Sequence, residues 1–517
     1  GEAWRLQYLT DLNVLPDYDD GWDTNRELTG APVDAEGKPV FHYAPKSFDA
    51  SETDGQRWRW CLQQAVEMNP NQLNAIRWEF GQFLLNQFGV QTMAGRFFGR
   101  TFDDDKDESG IFAVDTLGED ETITRLATGV KRFKLPDEFN FIRVLQTIVE
   151  QLRERGYRTV GPRLSEAAVV YDDITGVDQL PIGFLDEQDG GKYRVQPSDG
   201  AGYFDYVVGP HSLKNYVFPP RETLLRCRVD EGQWQMETPP ASAEPLAVIG
   251  VRSCDLHALE IQDRVFLSEP YVDSNYEARR NSLFLVAVNC RRAVATCFCH
   301  SMKTGPAVTT GYDLALTELA DRFVVEVGTD LGGQVVTHCD WGPCTMEEIN
   351  QAREQPETLR KEMLRRQTAA PPATTGNGHP RGRFLDTTDI RDLLLKNLEH
   401  ERWETVGHRC LACGNCTMVC PTCFCSDVEE VSDLLGQNVR RERIWASCFT
   451  AEHSYMNSGT VRKATTARYR QWLTHKLASW IDQYGVSGCT GCGRCITWCP
   501  VGIDLTEEVA AIRGADS

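Results

Sequence analysis

The sequence has no apolar run long enough to cross a bilayer; the longest, Leu283 to Val288, is the size of a strand. It has no P-loop and no Gly-x-Gly-x-x-Gly opening a strand–turn–helix unit, which removes the usual glycine-rich cradles for nucleotide phosphates. Gly488-Cys-Thr-Gly491-Cys-Gly493 comes nearest, and it is part of a cysteine run. Basic residues are in deficit, 54 Lys and Arg against 75 Asp and Glu, for a net charge of −21. That balance argues against nucleic acid as a partner. No Ser/His/Asp or thiol/His arrangement stands out for nucleophilic catalysis. The chain opens Gly1-Glu2-Ala3-Trp4 with no apolar h-region, so nothing there resembles a leader.

Cysteine, by contrast, is plentiful, with 19 in 517 residues. A secreted disulfide scaffold would be far shorter, and its spacings would not repeat a cluster motif. The first cysteine run is Cys410-Leu-Ala-Cys413-Gly-Asn-Cys416-Thr-Met-Val-Cys420-Pro421, and the second is Cys489-Thr-Gly-Cys492-Gly-Arg-Cys495-Ile-Thr-Trp-Cys499-Pro500. Both read C-x2-C-x2-C-x3-C-P, the bacterial ferredoxin spacing, in which the fourth cysteine ligates the other cluster. Cys410, Cys413, Cys416 and Cys499 are therefore expected on one [4Fe–4S] cluster, and Cys489, Cys492, Cys495 and Cys420 on the second. Zinc is the alternative, but it prefers pairs of C-x2-C and has no use for the trailing C-x3-C-P. Free thiolates of this kind favour a reducing compartment, and a cytoplasmic location is expected.

Residues 1–135 are read as a helical extension of unknown role. Trp58, Leu62, Ala65 and Val66 fall at helical spacing, as do Ile76, Phe80, Phe83, Leu84 and Phe88 after the break at Asn69-Pro70. The acidic knot from Asp103 to Glu108 is expected to be a solvated loop, since it lacks EF-hand spacing. A helix follows with Ile142, Leu145, Ile148, Val149 and Leu152 on one face and Gly156 at its end. The pattern then changes to strands at Ala167–Tyr171, Tyr203–Val208, Leu246–Val251, Leu283–Val288 and Phe323–Val327, interleaved with helical pieces such as Asp255–Phe266. The expected fold class is α+β multidomain. The helical N-terminal extension spans 1–135 and a central α/β domain spans 140–365. A Pro/Gly/Thr/Ala-rich linker follows at 366–385, and a C-terminal helical two-cluster ferredoxin domain spans 386–517.

Two of those strands run into cysteine-bearing loops. Leu246–Val251 leads to Arg252-Ser253-Cys254-Asp255, and Leu283–Val288 leads to Asn289-Cys290 and then Cys297-Phe298-Cys299-His300. Ligands of open α/β sheets gather at the carboxyl ends of parallel strands. Cys254, Cys290, Cys297 and Cys299 are thus expected to bind a third iron–sulfur cluster, with small buried hydrophobes as the alternative. His257 and His300 would be outer donors or surface residues. Cys339 and Cys344 are read as structural thiols. Cys423, Cys425 and Cys448 either join another metal centre or tune the nearby clusters. Val431–Leu435 and Tyr469–Tyr484 are expected to be helical. The basic residues Arg440, Arg441, Arg443, Arg462, Lys463, Arg468, Arg470 and Lys476 would form a solvated helix face, dock an acidic partner or compensate anionic clusters. Arg494 and Lys463 are candidate tuners of the clusters.

The stretch from Arg252 to Glu260, Asn289-Cys290 with Thr296-Cys-Phe-Cys299, the run from Cys410 to Cys425, and Tyr469-Arg-Gln-Trp-Leu-Thr-His-Lys476 together resemble the β iron–sulfur subunit of cytosolic bidirectional [NiFe] hydrogenases, the sulfhydrogenases. The electron-input subunit of anaerobic sulfite reductase is similar in outline. The resemblance covers residues 140–515 and leaves the N-terminal extension outside it. It implies a hetero-oligomeric complex in which a flavin subunit handles NAD(P), a small cluster subunit connects, and a large subunit carries nickel and iron. The chain itself would be a non-catalytic electron-transfer subunit. The alternatives are electron input to a sirohaem sulfite reductase, or a reductase whose α/β domain is itself catalytic with Cys339 or Cys344 as a redox thiol.

Overall fold

The structure is a computed structural model, and it describes residues 33, 38–68, 121–126, 129–134, 143–198, 202–207, 209–230, 233–241, 243–319, 323–337, 344–368 and 383–514. The chain divides into two compact units, residues 1–147 with 339–349, and residues 148–338 with 350–517. The helical pattern at 76–88, the acidic knot at 103–108, Cys339 and residues 369–382 of the expected linker lie outside the described residues.

The smaller unit contains the helix Asp54–Met68, which carries Trp58 and Leu62 as their spacing predicts. It also contains an antiparallel hairpin, β1 (Glu121–Leu126) and β2 (Gly129–Lys134), with Ile123 opposite Arg132. The extension is therefore not wholly helical. Thr122, Ile123, Thr124, Val130 and Phe133 are β-branched or aromatic residues that suit a pleated strand better than a helix.

In the larger unit, the chain forms β3 (Arg158–Ser165), β4 (Ala168–Asp173), β5 (Phe184–Asp189), β6 (Lys192–Pro197), β7 (Arg221–Asp230) and β8 (Gln233–Glu237). It continues with β9 (Leu246–Val251), β10 (Leu283–Val288), β11 (Leu314–Glu318), β12 (Phe323–Val327), β13 (Ser426–Ser432) and β14 (Asn438–Trp445). A six-stranded sheet runs β12-β11-β10-β9-β3-β4. Its inner four strands are parallel and its two edges antiparallel. All six residues of β9 are buried, which explains its unbroken apolar sequence. Helices follow β9 at Ser253–Phe266 and precede β10 at Ser274–Asn281. The helix Arg143–Glu154 ends where Gly156, at φ +84°, donates its N–H to Arg153 O and Tyr157 N–H reaches Leu152 O.

Two expectations fail here for physical reasons. Tyr203–Val207 is not a strand. Phe204, Tyr206 and Val207 are buried, but their backbone is served by side chains rather than by a ladder. Glu318 accepts from the N–H groups of Tyr203 and Phe204, Asp186 accepts from Val207 N–H, and Arg252 Nη2 donates to the carbonyls of Phe204 and Tyr206. Burial without a ladder is a route that alternation alone does not reveal. Val431–Leu435 is not helical either. It is the end of β13 and the turn into β14, with Leu434 and Leu435 exposed.

The hairpin β13–β14 pairs through β14 with β7, so a four-stranded sheet β13-β14-β7-β8 joins chain from between the cysteine runs to chain from the α/β half. This also changes the reading of the basic residues. Arg441 pairs with Glu430 across the hairpin, and Arg443 lies between Glu222 and Asp273. Arg468 donates to three backbone carbonyls, and Lys476 is buried. They do not share one helix face. Helices at Ile390–Lys396, Arg402–Arg409, Thr465–Thr474 and Leu505–Arg513 pack around a core of Trp403, Tyr469, Trp472, Leu473 and Val509, against which the cysteines sit.

Candidate metal centres

Both cysteine runs curl through the same backbone states. Ala412 and Gly491, each just before the second cysteine, have φ of +52° and +67°. Gly414 and Gly493, each just after it, both have φ of +78°. These left-handed residues turn the chain tightly enough for successive thiols to face one space. They also turn backbone N–H groups toward sulfur. Ala412 N–H donates to Cys410 Sγ at 3.4 Å, and Gly491 N–H donates to Cys489 Sγ at 3.4 Å. Ile503 N–H donates to Cys499 Sγ at 3.3 Å. Such donors favour thiolate over thiol and are among the levers on a cluster's potential.

A cavity beside the first run is lined by Cys410, Cys413, Cys416 and Cys499, with Leu411, Phe449, Tyr469, Trp472 and Leu505 as apolar wall. Cys499 thus lies with the three leading cysteines of the other run. Cys495 also reaches this cavity, and the thiols of Cys495 and Cys416 influence each other, so the two groups adjoin. Around Cys495 lie Cys489, Cys420 and Cys492. Burial pushes the Cys489 thiol up to about 12, and raises Cys416 and Cys495 well above the ordinary range. Cys420 goes the other way. A hydrogen bond from Cys423 and then the nearby Lys476 ammonium hold it well below. Among the described residues, no three His, Cys, Asp or Glu side chains converge on a position for a single metal ion. A zinc site would need that convergence at about 2.3 Å from one ion, whereas cluster thiolates are spread over separate irons. Thiols of both runs gathered round one largely apolar cavity are a donor set that fits an iron–sulfur cluster.

The third group lies at the carboxyl ends of β9 and β10. Gly250, at φ +81°, makes a bulge in β9, where a Cβ would stand 2.8 Å from Tyr206 Oη. The strand then delivers Arg252 and, in the first turn of the helix Ser253–Phe266, Cys254. Cys254 and Cys299 share a buried cluster with Val207, Ala293 and Val294, and Cys290, Cys297 and Cys492 pack against it. Cys492 therefore borders both the second and the third group. Burial raises Cys254 and Cys299 well above the ordinary thiol range and takes Cys297 to about 12. Arg252, beside Cys290, is buried; its Nη2 has two carbonyls, but its Nε has no hydrogen-bond partner and no carboxylate pairs with it among the described residues. A buried guanidinium without a counter-charge is costly, and four thiolates carrying a cluster would supply that charge.

The second run is fastened to the α/β half. Arg494, wholly buried, makes a two-pronged ion pair with Asp255 at 2.7 and 2.8 Å and donates to the carbonyls of Gly209 and His211. Phe298 N–H donates to Gly491 O at 2.9 Å, and Thr304 Oγ1 donates to Thr490 O at 2.6 Å. Arg494 is thus a tie whose charge is cancelled, and Lys463 is exposed. His257 Nδ1 lies 2.9 Å from Ser253 O, and His300 stacks on Phe384. Cys344 is exposed. Cys448 lies near Cys425, and Cys423 makes a hydrogen bond to Cys420. Sequence reasoning places Lys476 among the basic residues that could compensate anionic clusters and misses Lys214; both are buried next to these thiols. Burial lowers Lys214 to about 8. Burial also opposes charge on Lys476, but Cys420 and Cys423 hold it well above the ordinary lysine range.

A 4Fe-4S dicluster domain model matches residues 409–503, which contain both cysteine runs. Over 366 residues, the chain is 26 % identical to sulfhydrogenase 2 subunit beta of Pyrococcus furiosus, covering 70 % of this chain and 94 % of that one. No solved structure matches. Among the described residues, no helix is long and apolar enough to cross a membrane. Similarity along nearly the whole of a β subunit, together with a dicluster domain over both cysteine runs, supports a hydrogenase β-type iron–sulfur subunit that transfers electrons.

Proposed function

We propose that this chain is the electron relay of a cytoplasmic [NiFe] hydrogenase complex, carrying electrons between a flavin subunit that handles NAD(P) and the nickel–iron module, with a small cluster subunit beside it. Cys410, Cys413, Cys416 and Cys499 hold one [4Fe–4S] cluster, and Cys489, Cys492, Cys495 and Cys420 hold the second. Cys254, Cys290, Cys297 and Cys299 hold a third. The clusters supply one-electron chemistry. The chain's own residues space them, bury them and fix the charge around them.

The observation that carries this reading is the placement of the trailing cysteines. Cys499 lines the cavity of the first run, and Cys420 is a close electrostatic neighbour of Cys489, Cys492 and Cys495. The groups form a sequence, since Cys492 touches the third and Cys495 touches the first. That gives a path from the interior of the α/β half to the more exposed Cys413. Anaerobic spectroscopy of Cys420→Ala and Cys499→Ala tests it. Each variant should lose the cluster whose other ligands lie in the opposite run. Loss of the same-run cluster instead would overturn the exchange. Intact chain should hold about twelve irons with matching acid-labile sulfide, and eight would remove the third cluster. Nickel and hydrogen-dependent dye reduction in the co-purified complex test the partners, and sirohaem absorbance there would point to sulfite reduction.

A further inference from the structure

Three buried cations stand near the second group of thiols, and they are not alike. Arg494 is matched by Asp255 and adds no net charge. Lys476 and Lys214 have no such match. Lys476 Nζ lies 3.2 Å from Cys420 Sγ, 3.0 Å from Thr422 Oγ1 and 2.9 Å from Gly488 O. Lys214 Nζ donates to Met418 O at 3.0 Å and Thr417 O at 3.4 Å, and sits 3.7 Å above the Trp445 ring. Among the described residues, no carboxylate pairs with either ammonium. Both are at most 3 % exposed. Dipoles and a ring face compensate a buried ammonium only in part, so the arrangement calls for a nearby anion.

The position of Lys476 is built rather than incidental. It lies in a π-helical turn, His475–Ser479, which interrupts the helix running from Thr465 to Tyr484. Such turns displace a side chain from the regular helical stripe and gather at functional sites. The Gly488 N–H donates to Lys476 O at 2.8 Å, and a Cβ on Gly488 would stand 2.4 Å from the Trp480 ring. The loop that opens the second cysteine run is thereby clamped to the lysine's own backbone. Among the described residues, the first group has no counterpart. Its cavity wall is apolar, and the arginines closest in sequence, Arg402 and Arg409, are spent on Glu508.

We propose that Lys476 and Lys214 are positioning residues that set the reduction potential of the second cluster, making it the more readily reduced of the two ferredoxin-type clusters. The proposal rests on the ligand reading above. A fixed positive charge beside a thiolate ligand favours the form with one more electron, and in a buried site little water screens it. Of the two lysines, Lys476 has the larger effect because it touches the ligand sulfur. Electrons arriving from the exposed first group would then rest at the second cluster.

The test is an anaerobic redox titration followed by EPR on the full chain, comparing wild type with Lys476→Met, Lys476→Arg, Lys214→Met and Cys420→Ala. Cys420→Ala identifies the second cluster by the signal it erases. Lys476→Met should lower the potential of that signal, changing its oxidised-to-reduced ratio at a fixed potential by on the order of tenfold or more. Lys214→Met should move it the same way by less, Lys476→Arg should restore it, and the other signals should stay in place. An unmoved signal in Lys476→Met at full iron content overturns the proposal, as does an arginine variant that behaves like methionine. If Lys476→Met loses iron, Lys214→Met decides, and an unmoved signal there is equally fatal. If Cys420→Ala erases no signal, the ligand reading itself fails. If it erases one that the lysine variants never move, only the role of the lysines falls.

Discussion

The two cysteine runs have one spacing and one backbone path, but they live in different surroundings. Cys413 and Leu411 of the first run are exposed, and Asn415, also exposed, donates to Trp498 O. In the second run, the equivalents Cys492, Thr490 and Arg494 are covered by the α/β half, and Arg494 is wholly buried. The spacing therefore decides how a cluster loop is shaped, while the neighbours decide what the loop is for. One run faces outward, where a partner can be reached. The other faces inward, toward further thiols.

The ion pair between Arg494 and Asp255 is the strongest difference between the runs, and breaking it should have the largest effect. Arg494→Met leaves a wholly buried carboxylate without its partner, and should cost about 3–5 kcal/mol in chemical denaturation. Asn415→Ala, at the same place in the first run, should cost about 0.5 kcal/mol or less, as an exposed substitution. Equal losses would mean that the second run is not anchored by this pair.

The left-handed position before the second cysteine gives the next contrast. At Gly491 a Cβ would lie 2.7 Å from Phe298 C and O and from Cys299 N, all backbone atoms that cannot step aside. Gly491→Ala should therefore cost about 2 kcal/mol or more, and should loosen iron at the second site. The first run already carries alanine there, at φ +52°. Ala412→Gly should relieve about 1 kcal/mol of that strain, partly offset by the greater freedom of glycine in the unfolded chain. The same pair of residue types, exchanged in opposite directions at matching positions, should thus differ in sign.

What could be read from the sequence follows the same division. The eight ferredoxin cysteines are legible because a cluster loop is local: twelve consecutive residues hold the spacing and the turns. The strands β9 and β10 are legible because a doubly covered parallel strand is a continuous apolar run. Cys254, Cys290, Cys297 and Cys299 are legible as a group only because the ends of β9 and β10 are neighbours. Arg494 and Asp255 lie 239 positions apart, and Lys476 and Cys420 lie 56 apart, so no window of sequence contains either pair. Tyr203–Val207 misleads because buried aromatic residues can alternate without a ladder. Residues 426–445 mislead because Val431, Leu434 and Leu435 mimic helical spacing on an exposed hairpin.

The smallest predicted difference concerns the iron-free chain in mild alkali. Burial raises Cys489 from an ordinary value of 9.0 to about 12, so its neutral form is favoured when folded. The unfolded chain loses that proton first as pH rises. Stability contributed by the neutral thiol is complete below pH 9 and falls between pH 9 and 12. At pH 9 the loss from one such thiol is only about 0.4 kcal/mol, because the unfolded thiol is then half ionised. Cys410 is raised too, but it is only about half buried, and Ala412 N–H draws it back. Urea denaturation of iron-free chain at pH 8, 9 and 10 should show that Cys489→Ser flattens the alkaline slope more than Cys410→Ser. Equal slopes would mean that, without metal, the second run opens to solvent as freely as the first. Its burial would then be a product of cluster binding rather than of the fold.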